Sequence, residues 1–154
     1  MKTDLREWMT ESCNLEPDVD VTQQSGMVDR SVQAYEYLGS NADSLGHEHI
    51  TGAHQILMTH DRPEIAGEYR DHPVQVDRHT PPGPARMRYE LQELLETRTV
   101  DSQLDALRWH VEFEGIHPFV DGNGRVGRII YLYHCDTIGC EPIMFRAEDR
   151  QGYY

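Results

Sequence analysis

The sequence contains very little lysine: Lys2 is the only one, and the other Lys-or-Arg positions are all arginine. Acidic residues dominate, with 27 Asp and Glu against 14 Lys and Arg, so the formal net charge is -13 at pH 7. Nucleic acids and anionic membranes select positively charged protein surfaces, and this balance therefore argues against both as general partners. It leaves room for a small local anion site.

Cysteines and long apolar runs are also scarce. The three cysteines, Cys13, Cys135 and Cys140, are odd in number and lack CxxC spacing, which disfavours a disulfide scaffold or a zinc site. No apolar run approaches the length of a membrane span, and the first residues lack the apolar centre of a signal peptide. The 154 residues suffice for one domain with one hydrophobic core, and we expect a soluble cytoplasmic protein.

Apolar residues recur mainly at helical spacing. This periodicity predicts helices over residues 4–16, 27–38, 47–60, 85–98, 100–116 and 125–139, with a last short helix near Ala147. Residues 17–26 are polar, and we expect them to form a linker. Residues 63–84 contain several prolines and a Val-Gln-Val alternation, which predicts a β-hairpin or an extended flap followed by a proline-rich loop. The expected fold is a mainly α helical bundle with one small hairpin.

The segment GIHPFVDGNGRVGR, residues 115–128, is unusually rich in glycine. Part of it matches the GxGxxG dinucleotide fingerprint, but that fingerprint needs a preceding strand in a βαβ unit, and no such strand is predicted. The lysine of a P-loop is absent too. What remains is a glycine-rich turn before a helix, where backbone N–H groups and the positive helix end favour an anion. We therefore expect a phosphate site without a Rossmann fold.

Four ionisable side chains accompany this loop. Arg125 and Arg128 are three residues apart on the predicted helix, so they share one face and suit a polyphosphate. Asp121 would repel phosphates, and its presence indicates a Mg²⁺ ion that bridges to phosphate oxygens. A neutral His117 can accept a proton from an incoming nucleophile near pH 7. Each has an ordinary alternative as a packing, turn-forming or solvated residue, but all four fall within twelve residues and together indicate attack on a nucleotide phosphate.

The segment HPFVDGNGRVGR resembles the Fic-domain signature HxFx(D/E)GNGRxxR. Every fixed position is met, namely His117, Phe119, Asp121, Gly122, Asn123, Gly124, Arg125 and Arg128. The flanking FEGIHPF is similar to the family's FExIHPF, and RQGYY at the end is similar to its closing helix. The resemblance implies an all-α Fic fold and AMPylation, in which ATP donates AMP to a Ser, Thr or Tyr hydroxyl of a partner protein. The phosphotransferase branch of the family lacks the full GNGR pattern, which is present here.

The resemblance also implies a role for each residue of the signature loop. His117 would be the general base, and Asp121 would hold Mg²⁺ against the α- and β-phosphates. Asn123 and the backbone of Gly122 and Gly124 would position the α-phosphate. Arg125 would hold the phosphates and stabilise charge during transfer, while Arg128 would engage the γ-phosphate.

The partner protein is expected to dock on a flap. AGEYRDHPVQV, residues 66–76, looks like the family's flap hairpin, and the residues carried over are Gly67, Glu68, Tyr69, Arg70, Val74, Gln75 and Val76. Such a flap would bind the partner's backbone as an added strand, which gives little side-chain specificity. No feature of the sequence identifies the target, and self-modification is the expected first readout.

ESCNLEP, residues 11–17, resembles the (S/T)xxxE(G/N) motif of an inhibitory helix that many Fic proteins carry. Ser12 and Glu16 have the matching spacing, whereas Pro17 stands where the motif has Gly or Asn; both residue types terminate helices. The resemblance implies that Glu16 pairs with Arg128 and blocks productive binding of the γ-phosphate. It divides the chain into an inhibitory helix, residues 1–20, and a Fic domain, residues 21–154. The alternative is that Glu16 is a solvated acid on a short helix.

Other functions stay open at this point. A degenerate Fic-like module would bind a nucleotide without transferring it, although the intact His117 argues against that. Another enzyme of this fold would use a different donor such as UTP, or would remove AMP with Glu16 helping to activate water. A metal site formed by His47, His49 and His54 is disfavoured, because His47 and His49 do not share a helical face.

Overall fold

The computed structural model describes residues 4–17, 20–146 and 148. Within them the chain forms six helices and no strand longer than an isolated bridge. The helices are α1 (Leu5–Asn14), α2 (Val21–Asn41), α3 (His47–Met58), α4 (Pro84–Thr97), α5 (Gln103–Ile116) and α6 (Asn123–Ile138). The mainly helical architecture predicted from the periodicity is confirmed, while the helix predicted near Ala147 and the RQGYY segment lie outside the described residues.

The first two helices differ from the prediction at their ends. The Asp4 side chain caps α1 by accepting the Glu7 N–H at 2.9 Å, and α1 ends at Asn14, so Glu16 lies in the turn beyond it. The linker predicted over residues 17–26 is wrong, because α2 begins at Val21. Asp20 caps that helix by accepting the Thr22 N–H at 3.0 Å, and its polar first turns carried no apolar signal in the sequence.

The core surrounds α6, which packs against α1, α2, α3 and α5. Almost every side chain from Asn123 to Tyr133 is buried, polar residues included. The apolar residues of α5 are not all in the core: Trp109 and Phe113 are buried, but Leu104 and Val111 are 54% and 66% exposed. Helical spacing does not separate those residues, because α5 is apolar on more than the face that contacts α6.

The predicted β-hairpin flap is not formed by paired strands. Residues 59–83 connect α3 to α4 as an irregular segment whose only bridge in the described chain joins Val76 and His79. Prolines at positions 73, 81 and 82 remove backbone donors, and a turn residue, Asp77, has φ of 47°. Side chains rather than a second strand hold this segment to the bundle, and we call residues 66–82 the flap segment.

No helix in the part of the chain that the structure describes has both the length and the apolar character needed to cross a membrane.

Candidate functional site

The glycine-rich loop lies at the bottom of an open cleft between the turn after α1, helix α5 and residues 143–146. The cleft measures about 1460 Å³, and its lining includes Glu16, Glu114, His117, Asp121 and the backbone of residues 122–124. The cleft thus brings together His117, Asp121 and the start of α6, as the sequence predicts. Glu16, which is far from them in the sequence, lines the same cleft.

The loop is shaped by two residues at the start of α6. Gly122 has φ of 82°, a left-handed conformation that favours glycine, and it precedes the first turn of the helix. Asn123 is 2% exposed, and its side chain exchanges two 2.8 Å hydrogen bonds with the Phe119 backbone, donating to the carbonyl and accepting from the N–H. The Asn123 side chain thus fixes the loop, while the first N–H groups of α6 point towards the cleft without an intrahelical acceptor.

Arg125 is almost completely buried beside this helix end. Its Nη2 atom lies 3.3 Å from the sulfur of Met58 and 3.9 Å from a carboxylate oxygen of Asp121. The Nε atom is buried and has no hydrogen-bond partner among the described residues. An unpaired buried donor is costly, so this guanidinium is suited to an anionic ligand that completes its hydrogen bonds.

Arg128 is fully buried and is held by the C-terminal part of α1 and the turn after it. Its Nε donates to the Ser12 hydroxyl at 2.7 Å, and its Nη2 donates to the Ser12 carbonyl at 2.9 Å. The same Nη2 lies 2.5 Å from a carboxylate oxygen of Glu16, whose side chain is 17% exposed. Glu16 is therefore no solvated acid: the structure pairs it with the second arginine of the loop.

His117 ends α5 in a left-handed conformation, with φ of 51°. Few non-glycine residues adopt this conformation, and those that do are often at functional sites. Its carbonyl accepts a 2.7 Å hydrogen bond from Arg70, which fixes the turn from α5 into the loop. Burial lowers the pKa of His117 below its ordinary value, although a hydrogen bond with the Glu114 backbone acts in the opposite direction. The imidazole is thus mostly neutral at physiological pH, as a proton acceptor must be.

Asp121 lies at the rim of the cleft, with its side chain 44% exposed. One carboxylate oxygen accepts the Gly122 N–H at 2.6 Å, and the other lies 3.6 Å from Arg62. No group of three or more His, Cys, Asp or Glu side chains in the described part of the chain has metal-binding geometry. Asp121 is thus a rim carboxylate with no strong ion pair, whereas Glu16 in the same cleft is paired with Arg128.

Three buried polar residues around the site were not predicted as site residues, although His54 was considered for a metal site. His54 on α3 stacks on Phe119 with ring centroids 3.7 Å apart, and burial lowers its pKa to about 4. Glu114 lines the cleft with a buried Oε1 atom that has no hydrogen-bond partner among the described residues, and burial raises its pKa to about 7. His110 lies next to Glu114 over Gly127, and burial lowers the His110 pKa to about 3. Only the Glu114 position carried a signal, as part of FEGIHPF.

The flap segment places its residues on two sides. The Arg70 side chain is 1% exposed and donates to the carbonyls of His117, His72, Pro82 and Ile116, so it clamps the segment to the loop from inside. Tyr69 packs on Phe119 with ring centroids 5.2 Å apart. Among the other residues of the predicted docking surface, Glu68 and Gln75 are exposed, and Gly67, Val74 and Val76 are partly exposed.

Comparison with known proteins agrees with this geometry. A family model described as the Fic/DOC family matches residues 44–135. A protein adenylyltransferase Fic from Nematostella vectensis is 29% identical over 132 residues, covering 79% of this chain and 31% of its own length. The protein of the same name from Drosophila erecta is 32% identical over 112 residues, covering 68% of this chain and 22% of its own. The chain therefore spans about a third or less of the length of these relatives.

Two solved structures have the same fold. A Fic domain containing signaling protein from Bacteroides thetaiotaomicron superposes with a TM-score of 0.83 at 18% identity, over 97% of this chain and 69% of that one. Fic-1 from C. elegans superposes with a TM-score of 0.78 at 19% identity, over 100% of this chain and 54% of that one. The family model covers more than half of the chain, including the whole glycine-rich loop, and this match shows that the chain belongs to the Fic/DOC family.

Proposed function

We propose that the chain is the catalytic part of a protein adenylyltransferase, which transfers AMP from ATP to a Ser, Thr or Tyr hydroxyl of a partner protein. One observation carries the proposal. A partly buried histidine, a rim carboxylate and an open helix N-terminus line one cleft, and a buried arginine with an unpaired Nε lies behind them, 3.9 Å from that carboxylate. The names of the relatives, which are protein adenylyltransferases, support the same reaction.

The residues divide the work of this reaction between them. His117 takes the proton from the target hydroxyl, whose oxygen forms a bond to the α-phosphorus as the bond between that phosphorus and the bridging oxygen breaks. Pyrophosphate leaves with the electron pair of the broken bond. The N–H groups at the start of α6 and the Arg125 guanidinium stabilise the charge that develops on the phosphates.

A divalent cation fits this site through Asp121. Mg²⁺ in phosphate-transfer sites is held by one or two carboxylates together with substrate phosphates and water, and a single rim carboxylate matches that requirement. When bound, the cation neutralises charge on the phosphate oxygens. The contacts of Asp121 with Arg62 and Arg125 are long, at 3.6 and 3.9 Å, so the carboxylate can exchange them for a stronger ligand.

The partner protein docks, in this proposal, on the outer side of the flap segment. Val74 makes no backbone hydrogen bond to the rest of the described chain, and Gln75 beside it is exposed. A single extended stretch with free N–H and C=O groups can pair with an incoming strand without a hairpin of its own. Such pairing recognises the backbone of the partner protein more than its side chains. The target hydroxyl would then lie on a flexible segment that can become extended.

The ion pair between Glu16 and Arg128 inhibits AMP transfer in the free protein, and we call this inhibition the brake. In this proposal Arg128 receives the γ-phosphate, and in the free protein its Nε and Nη2 atoms donate to Ser12 and Glu16. A γ-phosphate must therefore replace Glu16 before ATP binds in the productive position. The competition is electrostatic, and removing the Glu16 charge should favour the phosphate.

The test is label transfer from ATP labelled at the α-phosphate, with Mg²⁺ and self-modification as the readout. The native chain, Glu16→Gly, Glu16→Gly combined with His117→Ala, and Glu16→Gly combined with His60→Ala are compared. His60 is exposed beyond the end of α3, so its replacement controls for the loss of a histidine. We expect strong labelling of Glu16→Gly, retention of the label with His60→Ala, and its loss with His117→Ala.

Other results would identify a different function. ATP binding without label in any variant would indicate a nucleotide-binding module. Label from UTP but not from ATP would indicate another donor. Loss of AMP from a previously labelled protein, dependent on Glu16, would indicate an enzyme that removes the modification.

A further inference from the structure

His54 occupies a central position that the proposed reaction does not use. It lies on α3, is fully buried, and packs flat against Phe119 with an interplanar angle of 4°. The same ring approaches Gly122, where an added Cβ would lie 3.4 Å from Nε2. His54 therefore lies between the start of the flap segment and the glycine-rich loop.

Both ring nitrogens of His54 make hydrogen bonds to the backbone. Nδ1 lies 2.9 Å from the Gly67 N–H, and Nε2 lies 3.0 Å from the carbonyl of Asp121. Because an N–H group can only donate, Nδ1 must be the acceptor in the first bond. Nε2 then carries the ring hydrogen and donates it to the Asp121 carbonyl, so the two partners fix the tautomer without ambiguity.

The two bonds reach the two places where substrates are expected to bind. Gly67 has φ of 80° and sets the direction in which the flap segment leaves the bundle. Asp121 lies in the glycine-rich loop just before α6. In a helix that began earlier, its carbonyl would accept the Arg125 N–H. A donor from His54 on that carbonyl holds the peptide in the orientation that leaves the first N–H groups of α6 facing the cleft.

We propose that His54 is a positioning residue that couples the start of the flap segment to the glycine-rich loop. The two regions, where the two substrates are expected to bind, then open locally together and not independently. Its consequence for catalysis rests on the proposed function: the target hydroxyl and the α-phosphate must be aligned together, and one rigid ring sets both backbones. A second contact between the flap segment and the turn after α5 is the hydrogen bond from the Arg70 side chain to the His117 carbonyl. It lies further along the segment and does not hold Gly67, which His54 contacts.

Two substitutions separate the bonds. Asparagine at position 54 places its amide oxygen near Nδ1 and keeps an acceptor for Gly67, but it has no donor for Asp121. Glutamine reaches the Nε2 position and keeps the donor, but it has no acceptor for Gly67. His60→Asn is the matched control, because His60 is exposed.

The measurement is amide hydrogen exchange in the full chain without nucleotide. The Gly67 amide reports on the flap segment, and the Phe119 amide, which donates to Asn123, reports on the loop. Coupling predicts effects across the ring: exchange at Gly67 becomes about fivefold faster in His54→Asn, and exchange at Phe119 becomes about fivefold faster in His54→Gln. The proposal would be overturned if exchange at Gly67 in His54→Asn, and exchange at Phe119 in His54→Gln, stayed at the rates seen in His60→Asn.

The unmodified chain offers a second test if the variants do not fold. Groups that open together exchange at one rate, so the Gly67 N–H and the His54 Nε2–H should exchange within about twofold of each other after correction for their intrinsic rates. Rates that differ more than about tenfold would overturn the coupling. Neither experiment depends on transfer of AMP, so a failed label-transfer assay would contradict the proposed function and leave this inference to be decided by exchange alone.

Discussion

The Glu16 carboxylate lies 2.5 Å from Nη2 of Arg128, a residue 112 positions further along the chain. Arg128 is fully buried and Glu16 nearly so, which makes this an interior ion pair at the edge of the cleft. The partners of such a pair depend on each other, because removing one leaves the other as an uncompensated charge. The state of Glu16 therefore affects both the stability of the fold and the charge that a phosphate meets.

Glu16→Gln should destabilise the free protein and strengthen its response to ATP. We expect the free energy of unfolding to fall by about 1–3 kcal/mol, because the amide cannot compensate the Arg128 charge. Added Mg²⁺ and ATP should then raise the melting temperature more than in the native chain, since the γ-phosphate supplies the missing anion. Glu7→Gln, an exposed change in α1, should stay within about 0.5 kcal/mol of the native chain. An equal ATP response in both variants would contradict the brake.

Asn123→Ala should destabilise the loop more than its small volume change suggests. The substitution leaves the Phe119 N–H and carbonyl without the two hydrogen bonds that Asn123 provides, and both groups are buried. We expect a loss of about 2–4 kcal/mol in denaturant unfolding and weaker ATP binding in the folded fraction. Asn41→Ala removes one exposed hydrogen bond at the end of α2 and is the control, with an expected loss of about 1 kcal/mol or less. Similar losses in the two variants would show that Asn123 does not hold the loop.

Local sequence was sufficient for the existence of the six helices and for the glycine-rich loop, but not for the start of α2 at Val21. The glycines around Asn123 and the two arginines three residues apart form a pattern that a short stretch of sequence shows by itself. The pairing of Glu16 with Arg128 was predicted from the family resemblance and not from local sequence. The paired strands expected in the flap segment are not formed, because alternation in residues 74–76 indicates a strand only if a partner strand is available. The two contacts of His54 were not predicted, because its partners are 13 and 67 residues away and no local pattern signals such contacts.

The rate of AMP transfer should rise with pH through an apparent pKa below about 6.5 and be level from pH 7 to 8. The base must be neutral to accept a proton, and burial of His117 disfavours its charged form, which moves the transition to lower pH. The measurement is the pH profile of kcat/KM for transfer in the Glu16→Gly protein, where the brake does not contribute. A profile that still rises between pH 7 and 8 would contradict this assignment of the base.

Glu114 should make the stability of the fold depend on pH. Its pKa is raised to about 7, well above the value of an unfolded glutamate; burial is the main cause, the Arg128 charge opposes it and the Glu16 charge adds to it. The folded state therefore binds the Glu114 proton more tightly than the unfolded state does. This contribution to stability is complete below about pH 4.5 and is lost as the pH rises to about 7.

Glu114→Gln removes that titration and isolates it. The free energy of unfolding of the variant, relative to the native chain, should increase between pH 4.5 and 7 and then stay constant, with a total change of up to about 3 kcal/mol. Glu93→Gln removes a carboxyl group from the exposed side of α4 and serves as the matched control. Denaturant unfolding at several pH values measures the difference. A Glu114→Gln difference that does not change with pH would mean that the carboxyl is solvated in the folded protein, and that the cleft beside Arg128 is wetter than its packing indicates.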